Sequence, residues 1–297
     1  MQLGRCPIAI QARSTRVCRA EWTSIATASP RMRRTHGGFG QYPGQYGMAV
    51  LSRYPIEASQ VRSFQNLKWS EMPGALVPQD PKSSEHYYPA DVWSKLRLSS
   101  KSFWDVPIKT PQGMLSVLAS HPTPPAFDGD EDRNGCRNHD EIRLLHDYIE
   151  RSGKDYLVDD QGKHGGLAAD RDFVIVGDLN SDPVDGGSRQ EAIVQLLSST
   201  EVARGRVPRS AGAEAAAERQ GKANKTHRGD PAEDTADFSD NAVGNLRADY
   251  VLPGKRFQIA QSGVFWPRLE DVSPQLRESM KQCLEASDHH LVWVDVR

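Results

Sequence analysis

The chain has 297 residues, of which 37% are hydrophobic and 26% charged, and its formal net charge is −2. This composition predicts a globular chain of one large or two small domains, and the weak net charge removes any overall reason for tight nonspecific binding to nucleic acid. The longest apolar run, residues 173–176, is far too short to span a membrane. The four cysteines show neither a CxxC pair nor a zinc-site spacing.

The first 36 residues differ from the rest of the chain. They are rich in Arg, Ser and Thr, and they show no sustained apolar period of 2 or 3.6 residues. They also lack the basic start, apolar stretch and small-residue cleavage site of a secretory signal. We therefore expect residues 1–36 to be disordered or foreign to the domain, and we expect residues 37–297 to form one domain.

Strands and helices are predicted along the remainder of the chain. Apolar runs and alternation predict strands over residues 46–52, 93–100, 113–120, 173–177, 248–252, 263–266 and 291–296. Helical spacing predicts helices over residues 138–151, 190–198 and 275–284, with a long polar excursion over residues 203–245. Strands separated by helices and long polar loops predict an α/β or α+β sandwich.

A strand with a polar end carries the first candidate site. Asp178 and Asn180 follow the apolar residues 173–177, and alternate residues of an extended chain point to the same side. The Asp could accept a proton or orient water, and the Asn could bind an oxyanion. An Asp in this place can equally be a turn former or a helix cap.

A second acid–His pair precedes the last strand. Asp288 is a candidate ligand for a hard cation such as Mg²⁺, and His289 is a candidate base. Asp249, at the start of another strand, could fix one tautomer of His289. His290 would face the opposite side and is expected to be structural. The alternative is a polar turn that enters an edge strand.

His121 stands in a rigid turn after the strand over residues 113–120. Three of the next four residues are prolines. The imidazole could donate to a phosphate oxygen or to a leaving group, or it could simply bond a backbone carbonyl.

An EF-hand-like pattern lies between His121 and the first long helix. Asp130, Asp132, Asn134, Gly135 and Glu141 match the spacing of a calcium loop. The prolines before it forbid the entering helix, so Ca²⁺ is the weaker interpretation. We expect instead that Asn138 caps the following helix and that Glu141 closes a capping box.

Basic residues are scattered over residues 204–228 and are offset by acids over residues 230–240. A solvated loop is the plain interpretation, and a flap that meets a phosphate backbone is the functional one.

These motifs, in this order, resemble the endonuclease/exonuclease/phosphatase superfamily of Mg²⁺-dependent phosphoesterases, and especially a bacterial branch of it. The resemblance covers about residues 38–297. The segments that carry it are residues 40–48, 99–107, 120–125, 128–143, 234–238 and 244–253.

The resemblance implies a fold and a set of roles. The fold is two mixed β-sheets packed face to face and flanked by helices. Asp178 would orient or deprotonate the attacking water, Asn180 would help bind phosphate, and Asp288 would help hold Mg²⁺ or Mn²⁺. Asp249 and His289 would form an acid–His dyad.

His121 matches the family's mid-chain phosphate-binding His, whereas Phe103 stands where the branch usually has a His, so we expect no polar role there.

The front of the chain departs from the family, whose strand with the metal-binding Glu should precede residue 46. With suitable synonymous codons, residues 12–29 can be read in another frame as a segment typical of the branch. We therefore expect that residues 1–36 are translated out of frame and that the N-terminal strands and the Glu are lost. We make no prediction about export, because full-length relatives of the family can be exported whereas no secretory signal is visible in this sequence.

The sequence thus predicts a divalent-metal-dependent phosphoester hydrolase that uses in-line attack by water. Candidate substrates are DNA, RNA, a phospholipid head group or a small sugar phosphate, and we expect a monomer. The alternatives are a non-catalytic phosphate-ligand binder or an inactive truncated homologue, and a calcium-stabilised exported binding protein.

Overall fold

The computed structural model describes residues 7–10, 46–150 and 155–297. Its largest sheet has five strands in the order β2-β3-β4-β5-β8, with β4 and β5 parallel and the other neighbours antiparallel. These strands are β2 (Arg62–Ser63), β3 (Phe103–Thr110), β4 (Gly113–Ser120), β5 (Asp172–Asp178) and β8 (Asp249–Pro253).

A second, antiparallel sheet has the order β1-β10-β9. Its strands are β1 (Pro7–Ile10), β9 (Ile259–Phe265) and β10 (Leu291–Val296). A separate short ribbon joins β6 (Ala236–Asp237) to β7 (Asn245–Leu246). Residues 7–10 thus form a paired strand within the segment 1–36, where disorder was one expectation. The rest of that segment, and with it the expectation of a different reading frame, lies outside the described residues.

The two sheets pack face to face. Val117, Val174 and Val251 on one face of the five-stranded sheet share a buried cluster with Val264 and Val292 of the other sheet. Alternate residues of the same strands must point to the opposite face, because the side-chain period of a strand is two. The large sheet therefore has two buried faces.

Helices cover the second face. The helices are α1 (Ala90–Trp93), α2 (Arg133–Glu150), α3 (Glu191–Ser198), α4 (Ala211–Gln220) and α5 (Pro274–Glu285). Ile142 and Leu145 of α2 and Ile193 of α3 pack with Leu118 and Ile175 of the sheet. The predicted sandwich of two sheets with flanking helices is confirmed.

Most predicted elements match, but two predicted strands are absent and strand β3 was not predicted. Residues 46–52 form no strand, although Met48 and Val50 pack against the core between the sheets. Residues 93–100 form no strand either, because Trp93 ends the short helix α1 and only Arg97 makes an isolated bridge, to Lys68. Pro55 follows the first region and Pro89 precedes the second, so neither ladder could extend past these residues. The polar excursion over residues 203–245 also holds α4 and the β6–β7 ribbon.

Helix α2 begins earlier than predicted, at Arg133, so the predicted capping box is wrong. Asn138 and Glu141 lie inside the helix and are buried. Glu141 accepts backbone N–H bonds from Ser100 (2.8 Å) and Thr123 (2.6 Å). Asn138 donates to the backbone carbonyl oxygens of Thr123 (2.8 Å) and Leu179 (3.0 Å). One helical turn thus holds three loops.

The calcium-loop interpretation does not fit this geometry. The helix already begins within the pattern, so Asn134 and Gly135 are helical. Asp132 pairs with Arg189, with 2.7 Å between Oδ2 and Nε, and both carboxylate oxygens of Glu141 are used by the two loops. The ligands of an EF-hand therefore do not converge here.

We predict that Glu141→Gln lowers the free energy of unfolding by about 1–3 kcal/mol, because an amide nitrogen would face a buried N–H donor in place of a charged acceptor. Urea unfolding measures the difference. Glu71→Gln, at an exposed residue, is the matched control and should change the stability little. Equal stabilities for Glu141→Gln and the unaltered chain would contradict the anchoring role.

Candidate active site

One edge of the five-stranded sheet gathers five of the six predicted site residues, all except Asp288. Parallel strands present their carboxyl ends at the same edge, so His121 after β4 lies beside Asp178 at the end of β5. Strand β8 runs antiparallel to β5, and its first residue, Asp249, is the register partner of Asp178. His289 follows α5 and forms an isolated bridge with Ala236. The topology alone therefore brings together residues that are far apart in the sequence.

Gly177 permits the close approach of β4 and β5 at this edge. Its φ is 145°, and an added Cβ would stand 1.9 Å from the carbonyl oxygen of Ser120. A side chain at residue 177 would push apart the two strand ends that carry His121 and Asp178. The packing of these two strand ends therefore requires a glycine immediately before Asp178.

Asp178 is the centre of the cluster and is 6% exposed. Its Oδ1 accepts the backbone N–H of Asn180 at 2.8 Å. Its Oδ2 lies 3.4 Å from Nε2 of His121 and 3.7 Å from Nε2 of His289. The carboxylate therefore stands between two imidazoles.

Asn180 holds this arrangement in place. It adopts φ 51°, a conformation that Asn tolerates better than most residues. Its Nδ2 donates to Oδ2 of Asp178 at 3.1 Å and to the carbonyl oxygen of Pro122 at 3.2 Å. The amide hydrogens of Asn180 are therefore directed at protein acceptors.

Asp249 and His289 form the predicted dyad. Nδ1 of His289 donates to Oδ2 of Asp249 at 2.9 Å. The hydroxyl of Thr235 donates to the same oxygen and accepts the backbone N–H groups of Ala248 and Asp249, at 2.9–3.0 Å. The bond from Nδ1 leaves Nε2 of His289 directed toward Asp178, so Thr235 and Asp249 together fix the orientation of the imidazole ring.

The electrostatics separate the two histidines. Burial lowers the pKa of His121 to about 4, and the charge of Lys101 acts in the same direction. Burial by itself would also lower the pKa of His289, but the charge and hydrogen bond of Asp249 outweigh it and raise that pKa to about 10. At neutral pH His121 is neutral and His289 carries a proton.

The pKa of Asp178 is raised above that of an ordinary carboxylate. Burial raises its pKa, and the negative charge of Asp249 raises it further, against the effect of the two histidines. A buried carboxylate with a raised pKa is a feature of acid–base sites.

Three of these residues place possible ligand atoms close together, although His289 could bind a cation only without the proton on its Nε2. One ligand atom from each of Asp178, Asp249 and His289 lies within 4.8 Å of the others, and within the described residues this is the only such group. Two carboxylates and one imidazole suit Mg²⁺ or Mn²⁺ better than a soft metal. The donor set thus fits a hard divalent cation.

Asp288, the predicted metal ligand, is exposed and is not part of that group. It lies beside a cleft of about 510 Å³ that Asp237 and Trp266 also line. Its role as a ligand stays a prediction. His290 stacks on Trp266 with 3.8 Å between ring centroids, in the structural position expected for it.

Three contributors to the site were not predicted from the sequence. Thr235, Asn138 and Glu141 are buried polar residues that fix the dyad and the loops. Their signal is weak, since a single Thr or Asn resembles a turn residue. Phe103, as expected, is a core residue, stacked on Phe64.

Three of the basic residues over 204–228 make side-chain contacts within the fold. Arg209 pairs with Asp230 and Glu233, and Arg204 donates to carbonyl oxygens at the end of α3. Arg228 donates to the carbonyl oxygen of Val184.

The sequence model of the Endonuclease/Exonuclease/phosphatase family matches residues 10–289. The chain therefore belongs to this family, whose members are in general hydrolytic phosphoesterases. Among curated proteins, none matches the chain. Within the described residues, no helix is both long and apolar enough to cross a membrane.

Similar solved structures include other members of this family. A protein of the family from Beutenbergia cavernae is 17% identical, with 83% of this chain and 46% of that chain covered and a TM-score of 0.44. One from Leptotrichia buccalis is 15% identical, with 88% and 68% covered and a TM-score of 0.40. Sphingomyelinase C from Streptomyces griseocarneus is 13% identical, with 82% and 66% covered and a TM-score of 0.39. The chain spans less than half the length of the first of these.

We predict that Gly177→Ala destabilises the protein by more than about 2 kcal/mol, because the Cβ would collide with backbone that cannot move freely. Thermal unfolding measures the loss. Gly187→Ala is the control, since nothing lies within 4 Å of a Cβ added there. An unchanged melting temperature for Gly177→Ala would show that the strand ends are not tightly apposed.

We also predict that Thr235→Val costs about 1–3 kcal/mol, because two buried N–H groups lose their acceptor and Asp249 loses a donor. Denaturant unfolding checks the value. Thr235→Ser keeps the hydroxyl and should recover most of the stability. If valine and serine behave alike, the hydroxyl does not support the dyad.

Proposed function

We propose that the chain is a divalent-metal-dependent phosphoester hydrolase whose reaction is an in-line attack of water on phosphorus. One observation carries this proposal: Asp178, Asp249 and His289 offer ligand atoms within 4.8 Å of one another, at the sheet edge that also holds His121. Two carboxylates, a protonated imidazole and a neutral imidazole in one place provide both acid and base groups.

The metal would be Mg²⁺ or Mn²⁺, held by carboxylate oxygens of Asp178 and Asp249, with Asp288 as a proposed further ligand. Once bound, such an ion polarises a phosphoryl oxygen and neutralises charge. The oxygen-rich donor set supports this choice.

Residues of the chain would activate the water, stabilise the developing charge and bind the phosphate. Asp178 would orient the attacking water and accept its proton, which its raised pKa favours. His289, protonated and fixed by Asp249, would stabilise the negative charge that grows on the phosphoryl oxygens. His121 would donate to a phosphoryl oxygen or to the leaving group. Asn180 would assist phosphate binding chiefly by holding Asp178 and the turn at Pro122.

The domain itself is also a proposal. Residues 37–297 would form the family domain, and residues 1–36 would come from another reading frame of the gene. The nucleotide sequence decides the second point. An alternative frame that contains stop codons, or that encodes no upstream strand with a Glu, would refute it.

We predict Mn²⁺-dependent hydrolysis of bis-p-nitrophenyl phosphate that EDTA abolishes and that Asp178→Asn lowers roughly 100-fold or more, because the amide cannot accept the proton of water. Asp91→Asn, at an exposed residue, is the matched control and should retain full activity. Initial rates at saturating Mn²⁺ measure the effect.

Full activity of Asp178→Asn would contradict the assigned role. Mn²⁺ binding without turnover, in this chain and in one with the alternative frame restored, would favour a non-catalytic phosphate-ligand binder. Parallel assays with DNA, RNA, a phospholipid and a sugar phosphate would then identify the substrate class.

A further inference from the structure

The candidate site has few N–H donors left for a phosphate. Both acceptors of the Asn180 amide are protein atoms, Oδ2 of Asp178 and the carbonyl oxygen of Pro122. Nδ1 of His289 is bonded to Asp249. A phosphate needs several donors on its non-bridging oxygens, and the imidazoles of His121 and His289 supply at most one each.

Lys101 is an additional cation at this point. Its Nζ donates to the carbonyl oxygen of Pro122 at 3.1 Å, the same oxygen that accepts the Asn180 amide at 3.2 Å. Pro122 is the residue after His121, so the ammonium contacts the turn that carries the predicted phosphate-binding imidazole. Lys101 lies two residues before β3, at the same edge of the sheet as Asp178.

The ammonium group of Lys101 has N–H donors that no described residue accepts. A lysine carries three N–H donors, and the Pro122 carbonyl is the only hydrogen-bond partner of Nζ within the described part of the chain. No carboxylate of those residues lies within ion-pair distance of it, whereas Lys109 pairs with Glu57 and Lys255 pairs with Glu201. A part-buried cation with an incomplete shell favours an anionic ligand.

The segment that carries Lys101 is fixed before any ligand binds. The preceding residue, Ser100, donates its N–H to Glu141, and Arg137 donates to the carbonyl oxygens of Arg97 and Leu98. Helix α2 therefore holds this loop against the His121 turn. A cation held in advance loses little conformational freedom when it binds an anion.

The field of Lys101 also reaches the reacting groups. Its positive charge contributes to the low pKa of His121, and the charges of Glu141 and Asp178 act on it in turn. The ammonium is thus electrostatically part of the site, although the sequence analysis assigned no role to Lys101 itself.

We propose that Lys101 binds a phosphoryl oxygen of the substrate, with the Pro122 carbonyl as the anchor that orients its ammonium group. This inference rests on the proposed phosphoesterase function and adds to it a specific anion-binding residue. The competing account is that Lys101 only pins the turn that carries His121.

Lys101→Gln separates the two accounts, because an amide can still donate to the Pro122 carbonyl but has no charge. Isothermal titration with inorganic phosphate, in the presence of Mn²⁺, measures the affinity. We expect Lys101→Gln to weaken phosphate binding roughly 10- to 100-fold, as for the loss of a charge-assisted hydrogen bond, with little change in melting temperature. Lys101→Arg, which keeps the charge, should recover part of the affinity.

Lys95→Met, at a lysine with 74% of its side chain exposed, is the control and should bind phosphate as the unaltered chain does. Equal affinity of Lys101→Gln and the unaltered chain would overturn the inference, as would an absence of phosphate binding by the unaltered chain. If the unaltered chain binds phosphate but hydrolyses no phosphoester, the proposed function fails, and the affinities of the Lys101 variants still decide the role of Lys101.

Discussion

The parallel pairing of β4 with β5 is the constraint on which the site depends. It brings the ends of two strands, 57 residues apart at His121 and Asp178, to one edge, and the absence of a side chain at Gly177 lets them approach. Strand β8 then returns antiparallel on the other side of β5 and places Asp249 opposite Asp178. A sheet with only antiparallel hairpins would put these groups at alternating edges.

Buried polar side chains convert this topology into a defined geometry. Glu141 and Asn138 hold the turn after β4 and the turn after β5 through backbone bonds, and Thr235 does the same for the dyad. Each of these groups is costly to bury unless its partners are present. The positions of the site residues are therefore fixed by buried residues that touch no substrate in the proposed mechanism.

The sequence predicted the residues whose type and place carry a strong signal. Apolar runs located β4 and β5 and alternation located β10, and polar residues at strand ends located Asp178, Asp249 and His289. The prediction failed where one local sequence pattern was compatible with two structures. Asn138 and Glu141 fit a capping box, yet they are interior helix residues whose partners lie in loops distant along the chain.

Other features could not be predicted because they depend on tertiary contacts. Residues 46–52 have the pattern of a strand but form none, and the side chains of Met48 and Val50 nevertheless pack on the core. The roles of the Thr235 hydroxyl and the Lys101 ammonium depend on their tertiary contacts, with Asp249 and with the Pro122 carbonyl oxygen. Single polar residues carry no periodicity from which such contacts could be inferred.

Anomalous diffraction from crystals soaked with Mn²⁺ and phosphate tests the central claim most directly. The account predicts a manganese peak within about 2–2.6 Å of oxygen atoms of Asp178 and Asp249, with phosphate beside His121 and His289. A manganese peak elsewhere, or none at this edge of the sheet, would contradict the assignment of these residues as the metal and phosphate site.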